Sequence, residues 1–292
     1  MISWIIIGRN WKNNLSDLFI SINNQIDFVN CEIIFVDDFS TDNSINELEN
    51  YANNNNFRLI KQKKHLGRSA ARNVGINNAK GEWCIFTNSN IYVMSNFIYE
   101  YKKNIISNNI DIIAGGIIYE CKSDANYEMY LNNPFRGINN YDKLDIIPPK
   151  YVLFGNCCVK KQLFNNTEFD ESIKLYGGEE IELISRIIRK NENIKIIKIC
   201  NEVVRKGHRN FINQCDRMEE FGYNLADFPD KNIVHDIIPK FIRKAKFIIP
   251  SKITIKVLKS LYKKLPFAKN TIIRLSFGFC VFRGWKSNKS NA

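Results

Sequence analysis

Short apolar runs, each ending in a polar turn, recur at residues 4–8, 32–37, 57–61 and 83–87. Runs this short and this continuously apolar read as parallel strands buried on both faces. Between them lie 14–24, 44–53 and 68–79, each of helical character and long enough for a crossover. The order β-α-β-α-β-α-β predicts an α/β fold, a Rossmann-like sheet flanked by helices. In such sheets ligands gather beyond the carboxyl ends of the strands. That rule places Gly8 and Asn10, Asp37 and Asp38, and the stretch from Thr87 to Asn90 on one rim. No G-x-G-x-x-G follows the first run, which disfavours a dinucleotide-binding oxidoreductase.

Further along come a strand-like run at 111–119, a polar and aromatic loop at 121–149 and a second run at 151–159. Gly177-Gly178-Glu179-Glu180 then opens a helix to residue 190, 194–200 reads as a last strand, and 211–225 as an amphipathic helix. Residues 1–225 are read as one domain and 226–292 as a basic amphipathic extension. Charge separates the two: residues 237–292 hold 14 Lys and Arg and no Asp or Glu, whereas 1–236 hold 28 basic against 30 acidic residues. A nearly neutral body excludes a nucleic-acid partner, which would require the body to contribute charge.

The eight cysteines include no CxxC pair, so they read as reduced, mostly buried small hydrophobes of a cytoplasmic protein rather than as a zinc site. The N-terminal apolar stretch is too short for a signal peptide, and no segment has the 18 or so apolar residues of a membrane span.

Three clusters carry potential chemistry. The adjacent carboxylates of Asp37 and Asp38 repel each other unless a donor satisfies them, as a base N–H or ribose hydroxyls would. Helix capping is the plainer reading, and it suits Asp42 better than Asp37. Arg68 and Arg72, four residues apart, share a helix face, where guanidinium groups suit a diphosphate and where a solvated face is the alternative. Glu179 and Glu180 are either a proton-accepting pair or favourable charges at a helix N-terminus, and the two glycines before them would permit close substrate approach.

Taken together, the stretch from Ile33 to Asp42, that from Gly67 to Asn73, and Ala79-Lys80-Gly81-Glu82-Trp83 resemble the nucleotide-binding half of family 2 glycosyltransferases of the GT-A fold, over roughly residues 2–225. The resemblance implies a nucleotide-sugar donor, with Asp37 and Asp38 near base and ribose, Arg68 and Arg72 near the diphosphate, and Gly8 and Asn10 in the turn after the first strand. It implies that Glu180 acts as general base, Glu179 positions, and the transfer inverts at the anomeric carbon. Where the family has a metal-binding Asp-x-Asp, this chain reads Thr87-Asn88-Ser89-Asn90. Asn offers a carbonyl oxygen but not the charge that holds a divalent ion.

Three readings stay open: Mn or Mg held weakly through Asn90 and His208, Arg and Lys in place of metal, or loss of catalysis. The last would make the chain a nucleotide-sugar-binding or scaffold member of the same fold. The loop from Tyr130 to Gly137 is either an acceptor-binding lid or ordinary surface. The basic tail, at 239–249 and 253–265, suggests peripheral attachment to the inner face of a membrane, where a lipid-linked or glycan acceptor of surface polysaccharide or glycolipid synthesis would reside.

Overall fold

The computed structural model describes residues 1–107, 109–191, 193–226, 228, 252–265 and 268–289. In β1 (Ile2–Gly8), Ile2, Trp4 and Ile6 enter one apolar cluster while Ile5 and Ile7 enter another. Alternate side chains of a strand point to opposite faces, so a run apolar at every position must be covered twice. β2 (Cys31–Asp37) divides likewise, Ile33 and Phe35 against Ile34 and Val36, as does β4 (Trp83–Asn88). One face is covered by α1 (Leu15–Asn23), α2 (Ser44–Asn54) and α4 (Phe97–Ser107), the other by α3 (Arg68–Asn78) and α6 (Glu179–Lys190).

The sheet has the order β3-β2-β1-β4-β7-β6-β8-β5, in which β3 is Arg58–Lys61, β5 Ile91–Tyr92, β6 Ile112–Tyr119, β7 Cys157–Lys160 and β8 Ile196–Arg205. The first four strands are parallel, β7 is antiparallel to both its neighbours, β6 and β8 are parallel, and β5 is antiparallel to β8. The mixed, helix-flanked sheet read from the sequence is the one observed.

Two runs differ from expectation. Of 151–159 only the end is strand, because Pro148 and Pro149 turn the chain into a short 3-10 segment, Pro149–Tyr151, and proline offers no amide to a ladder. β8 instead outruns its expected end, following β6 through a register shift between Gly115 and Ile117. There Asn156 donates to the carbonyls of Gly116 and Asn201 at 2.7 Å each and accepts from the Tyr101 hydroxyl. A Cβ on Gly115 would lie 2.3 Å from the Asn156 amide nitrogen, so the bend requires glycine.

These strands and helices form one compact unit, Met1–Glu120, Asn132–Lys174 and Glu179–Gly207. The described residues of Cys121–Leu131, Leu175–Gly178 and His208–Ala292 form a second. It contains α5 (Ala125–Leu131), α7 (Phe211–Leu225), α8 (Lys252–Lys264) and α9 (Lys269–Lys289). α7 and α9 cross closely enough that a Cβ on Gly222 would come within 2.0 Å of the Val281 carbonyl. Phe211, Tyr262 and Phe277 form an aromatic cluster, and the Tyr262 hydroxyl donates to Asp124 at 2.6 Å. The expected basic segment 239–249 lies outside the described residues, while 253–265 corresponds to α8. Among the described residues no helix is long and apolar enough to cross a membrane.

All eight cysteines are free thiols and six are buried. Burial pushes Cys157 and Cys158 well above the ordinary thiol range, which keeps them protonated and inert.

Candidate active site

The turns after β1 and β2 are stitched to each other. Asn10 adopts left-handed backbone (φ 56°), its side-chain oxygen accepts from the Thr41 amide at 2.9 Å, and its own amide donates to Ser40 Oγ at 2.8 Å. The Lys12 amide donates to Asp42 at 3.0 Å and the Trp11 amide to Ser44 Oγ at 3.1 Å. Gly8 faces Ser89, where a Cβ would lie 2.6 Å from the serine Cβ and 2.9 Å from the Trp11 ring. The ends of β1 and β4 thus meet only because residue 8 has no side chain.

Asp37 and Asp38 are both buried and both satisfied by the protein. Asp37 accepts from Trp11 Nε1 at 2.8 Å, from the Ser40 amide at 2.9 Å and from the Ser40 hydroxyl. Asp38 accepts from the amides of Leu66 (2.8 Å) and Gly67 (3.0 Å), and its other partner is His65 Nδ1 at 2.7 Å. The two adjacent carboxylates coexist because each has its own set of donors. Trp11 and His65 complete this rim. His65 sits beside Gly67 in the sequence and was within reach of motif reading, whereas no spacing announces a Trp11 contact across 26 residues.

Arg72 requires a correction. Expected on a helix face beside a diphosphate, it is only 1% exposed. Its guanidinium packs beside the edge-to-face pair of Phe154 and Phe169, at 5.4 and 5.3 Å from their centroids. Nη1 reaches Glu179 Oε1 at 3.1 Å and Nη2 reaches Glu180 Oε1 at 2.6 Å. Arg68, one turn earlier and 38% exposed at its side chain, reaches the same Glu179 oxygen at 3.1 Å. The sharing of one helix face by the two arginines holds, but only Arg68 is open to solvent.

Glu179 is buried, and Glu180 keeps a side chain 17% exposed at the N-terminus of α6, where the helix dipole favours negative charge. Arg72 Nε, Glu179 Oε2 and Ser69 Oγ are buried without a hydrogen-bond partner among the described residues. Gly177 and Gly178 have left-handed backbone (φ 80° and 96°), and a Cβ on either would meet Phe221 at 2.9 Å or Phe228 at 3.0 Å. Local packing and backbone therefore demand these glycines, whatever approaches the site.

At the end of β4, Asn88 Oδ1 is buried and accepts nothing from the described residues, while Asn90 donates its side-chain amide to the Lys206 carbonyl at 3.3 Å. This turn offers neutral oxygens and no carboxylate. Among the described residues no three His, Cys, Asp or Glu converge as a cation would require. The donor set does not fit a divalent ion held by protein charge. His208 belongs to the second unit, where its ring stacks on Tyr127 at 5.8 Å. Of the expected lid, Tyr130 and Leu131 are buried in the second unit and Phe135, in the first, is 81% exposed.

A sequence model of the family described as "Glycosyl transferase family 2" matches residues 3–164. The minor teichoic acid biosynthesis protein GgaB of Bacillus subtilis is 30% identical over 188 residues, 61% of this chain and 20% of that protein. Glycosyltransferase GlyG of Streptococcus pneumoniae is 26% identical over 191 residues, 59% of this chain and 62% of that protein. The matched segments thus span less than two thirds of the length of either relative. Among solved structures, S. aureus TarS 1-349 in complex with UDP has a TM-score of 0.59 at 16% identity, covering 100% of this chain and 92% of that one. The mannosyltransferase PcManGT of Pyrobaculum calidifontis, in complex with GDP-Man and Mn2+, has a TM-score of 0.62 at 13% identity, covering 98% and 87%. The likeness to both is one of fold.

Proposed function

Because the chain belongs to glycosyl transferase family 2, we propose that its first unit binds a nucleoside-diphosphate sugar at the rim of β1, β2 and β4 and transfers the sugar to a hydroxyl. Glu180 is the general base. The observation that carries this reading is the setting of its carboxylate: Oε1 is anchored on Arg72 at 2.6 Å, while Oε2 accepts no hydrogen bond from the described residues. In the transfer, Oε2 takes the proton of the acceptor hydroxyl as its oxygen attacks the anomeric carbon. The bond from that carbon to the diphosphate oxygen breaks on the opposite face, its electron pair leaves with the nucleotide, and the configuration inverts.

Asp37 and Asp38 serve the donor by shaping the pocket wall. Their oxygens already hold the Trp11, Ser40 and loop 65–67 donors in place, and the remaining lone pairs face base and ribose. Gly8 and Asn10 fix the adjoining turn. Arg68 is the cation placed for the diphosphate, since it alone of the pair reaches solvent. The turn of Asn88 and Asn90 offers no carboxylate to a cation, so in this reading neutralisation of the leaving group falls to basic side chains.

The second unit supports work at a membrane. On α8, Lys252, Ile253, Lys256, Val257, Lys263 and Lys264 are exposed along one side, whereas Ile255 and Tyr262 are buried. A basic face interleaved with apolar residues fits an anionic lipid surface. With relatives named for teichoic acid synthesis and for cholesterol galactosylation, this favours a lipid-linked or glycan acceptor in surface polysaccharide or glycolipid synthesis, reached from the cytoplasmic side.

The test is to incubate the protein with UDP- and GDP-sugars, in EDTA or with Mn2+, and to compare Glu180→Gln. Expected are donor turnover in EDTA and its loss in the variant by about 10²–10⁴-fold with nucleotide binding retained. Full turnover by the variant sinks the assignment of the base. Turnover only with Mn2+ sinks the metal-free reading, and donor binding without turnover supports the scaffold reading, which the uncharged Asn88–Asn90 turn favours.

A further inference from the structure

We infer that Arg72 is the positioning residue of the general base and not a ligand of the donor diphosphate. The inference rests on the role of Glu180 proposed above. A guanidinium presents five N–H donors in a rigid plane. Here its central carbon lies 5.4 and 5.3 Å from the centroids of Phe154 and Phe169, whose rings meet edge to face at 4.8 Å and together form an aromatic wall beside it. Its two terminal nitrogens are taken by the carboxylates, Nη1 by Glu179 at 3.1 Å and Nη2 by Glu180 at 2.6 Å. A diphosphate arriving at Arg72 would have to displace a carboxylate from a group 1% exposed.

Arg68 has the opposite character. It shares Glu179 Oε1, but its side chain is 38% exposed, on the solvent side where a phosphate oxygen could meet it. When it does, Glu179 keeps the Arg72 contact, so the buried carboxylate stays compensated while the donor binds. Arg68 and Arg72 are therefore not duplicates one turn apart. The first serves the donor, and the second holds the Glu180 carboxylate in one orientation, with Oε1 bound and Oε2 presented to the acceptor.

The two roles separate kinetically. A general base delivered in the wrong rotamer lowers turnover without changing donor binding, since misplacement costs the chemical step. The experiment measures hydrolysis of UDP-N-acetylglucosamine and GDP-mannose, with water as acceptor, for the intact chain and for Arg72→Lys, Arg72→Ala, Arg68→Ala and Glu180→Gln. Expected for Arg72→Lys is a fall in kcat of about 10–100-fold with donor KM within about threefold. In Arg72→Ala, added guanidinium restores part of kcat, while Arg68→Ala raises KM and is not rescued that way.

A rise in KM with kcat retained in Arg72→Lys marks it as a donor ligand and overturns the inference, as does unchanged kcat. Should Arg72→Ala fail to fold, Phe154→Leu keeps every charge and loosens the guanidinium. It is expected to lower kcat at constant KM, and a wild-type kcat there also counts against the proposal. Active Glu180→Gln, or no donor turnover by the intact chain, means that the base assignment itself has failed. Inactive Glu180→Gln with wild-type Arg72→Lys means that only the positioning role has failed.

Discussion

The rim built by β1 and β2 and the cluster around Arg72 lie in the same unit, yet they are finished to different degrees. At the rim, Asp37, Asp38, Asn10, Ser40 and Asp42 all have partners from turns next to them in the sheet. Around Arg72, by contrast, Arg72 Nε, Glu179 Oε2 and Ser69 Oγ are buried and unpaired, as is Asn88 Oδ1 at the end of β4. Native proteins keep few such groups. The donors around Asp37 and Asp38 come from neighbouring turns, whereas the cluster around Arg72 keeps hydrogen-bonding capacity that the described residues do not fill.

The comparison predicts an order of sensitivities. The largest effect belongs to Arg72→Met, which strands the buried Glu179 and the partly buried Glu180. The expected loss is about 3–5 kcal/mol in urea unfolding, and a loss under 1 kcal/mol would mean that the cluster is far wetter than its burial suggests. Asp37→Ala comes next, because it orphans the Trp11 indole N–H and the Ser40 amide. The expected cost is about 1–3 kcal/mol per buried donor, and Asp37→Asn should recover part of it by keeping an acceptor.

Gly8→Ala drives a methyl into Ser89 and Trp11, with an expected cost of about 1–3 kcal/mol. The double variant Gly8→Ala/Ser89→Gly should recover most of it, and no recovery would locate the clash elsewhere.

The smallest effect is electrostatic and far from the site. Glu32 is held below the ordinary carboxylate range: burial pulls its pKa up, but donation from Ser3 and the Lys80 amide and the charge of Arg58 outweigh it. A group whose folded pKa is depressed binds its proton more readily when unfolded, so its stabilisation is present above the unfolded value and lost as pH falls through the folded one. Glu32→Gln should therefore lower stability at neutral pH by under about 1 kcal/mol, the pair being partly exposed. The difference should begin to shrink as pH falls below the ordinary carboxylate range near ~4 and vanish only below the depressed folded value. A gap that widened in acid would reverse the sign of this pairing.

What could be read in the chain beforehand follows from how local each feature is. The apolar runs of β1, β2 and β4 specify buried strands by period and length alone, so the fold class was legible. So was the rim, since Gly8, Asp37 and Asn88 follow directly from strand ends. Residues whose partners are remote in sequence were not. Arg72 reads as a diphosphate-facing helix residue until Phe154, Phe169 and Glu179, up to 107 positions away, pack against it. The packing of α7 on α9 was not legible either, because Gly222 and Gly284 carry no apolar signal of their own.

By itself, then, the sequence determined the α/β order, the rim of strand ends, the family and the candidate pair Glu179 and Glu180, all of which rest on short runs and motifs. Only the tertiary structure decided which arginine meets solvent and which carboxylate oxygens Arg72 holds. Burial and hydrogen-bond partnership are properties of what surrounds a side chain, and for a buried ion pair those surroundings come from elements that meet only when the sheet has formed.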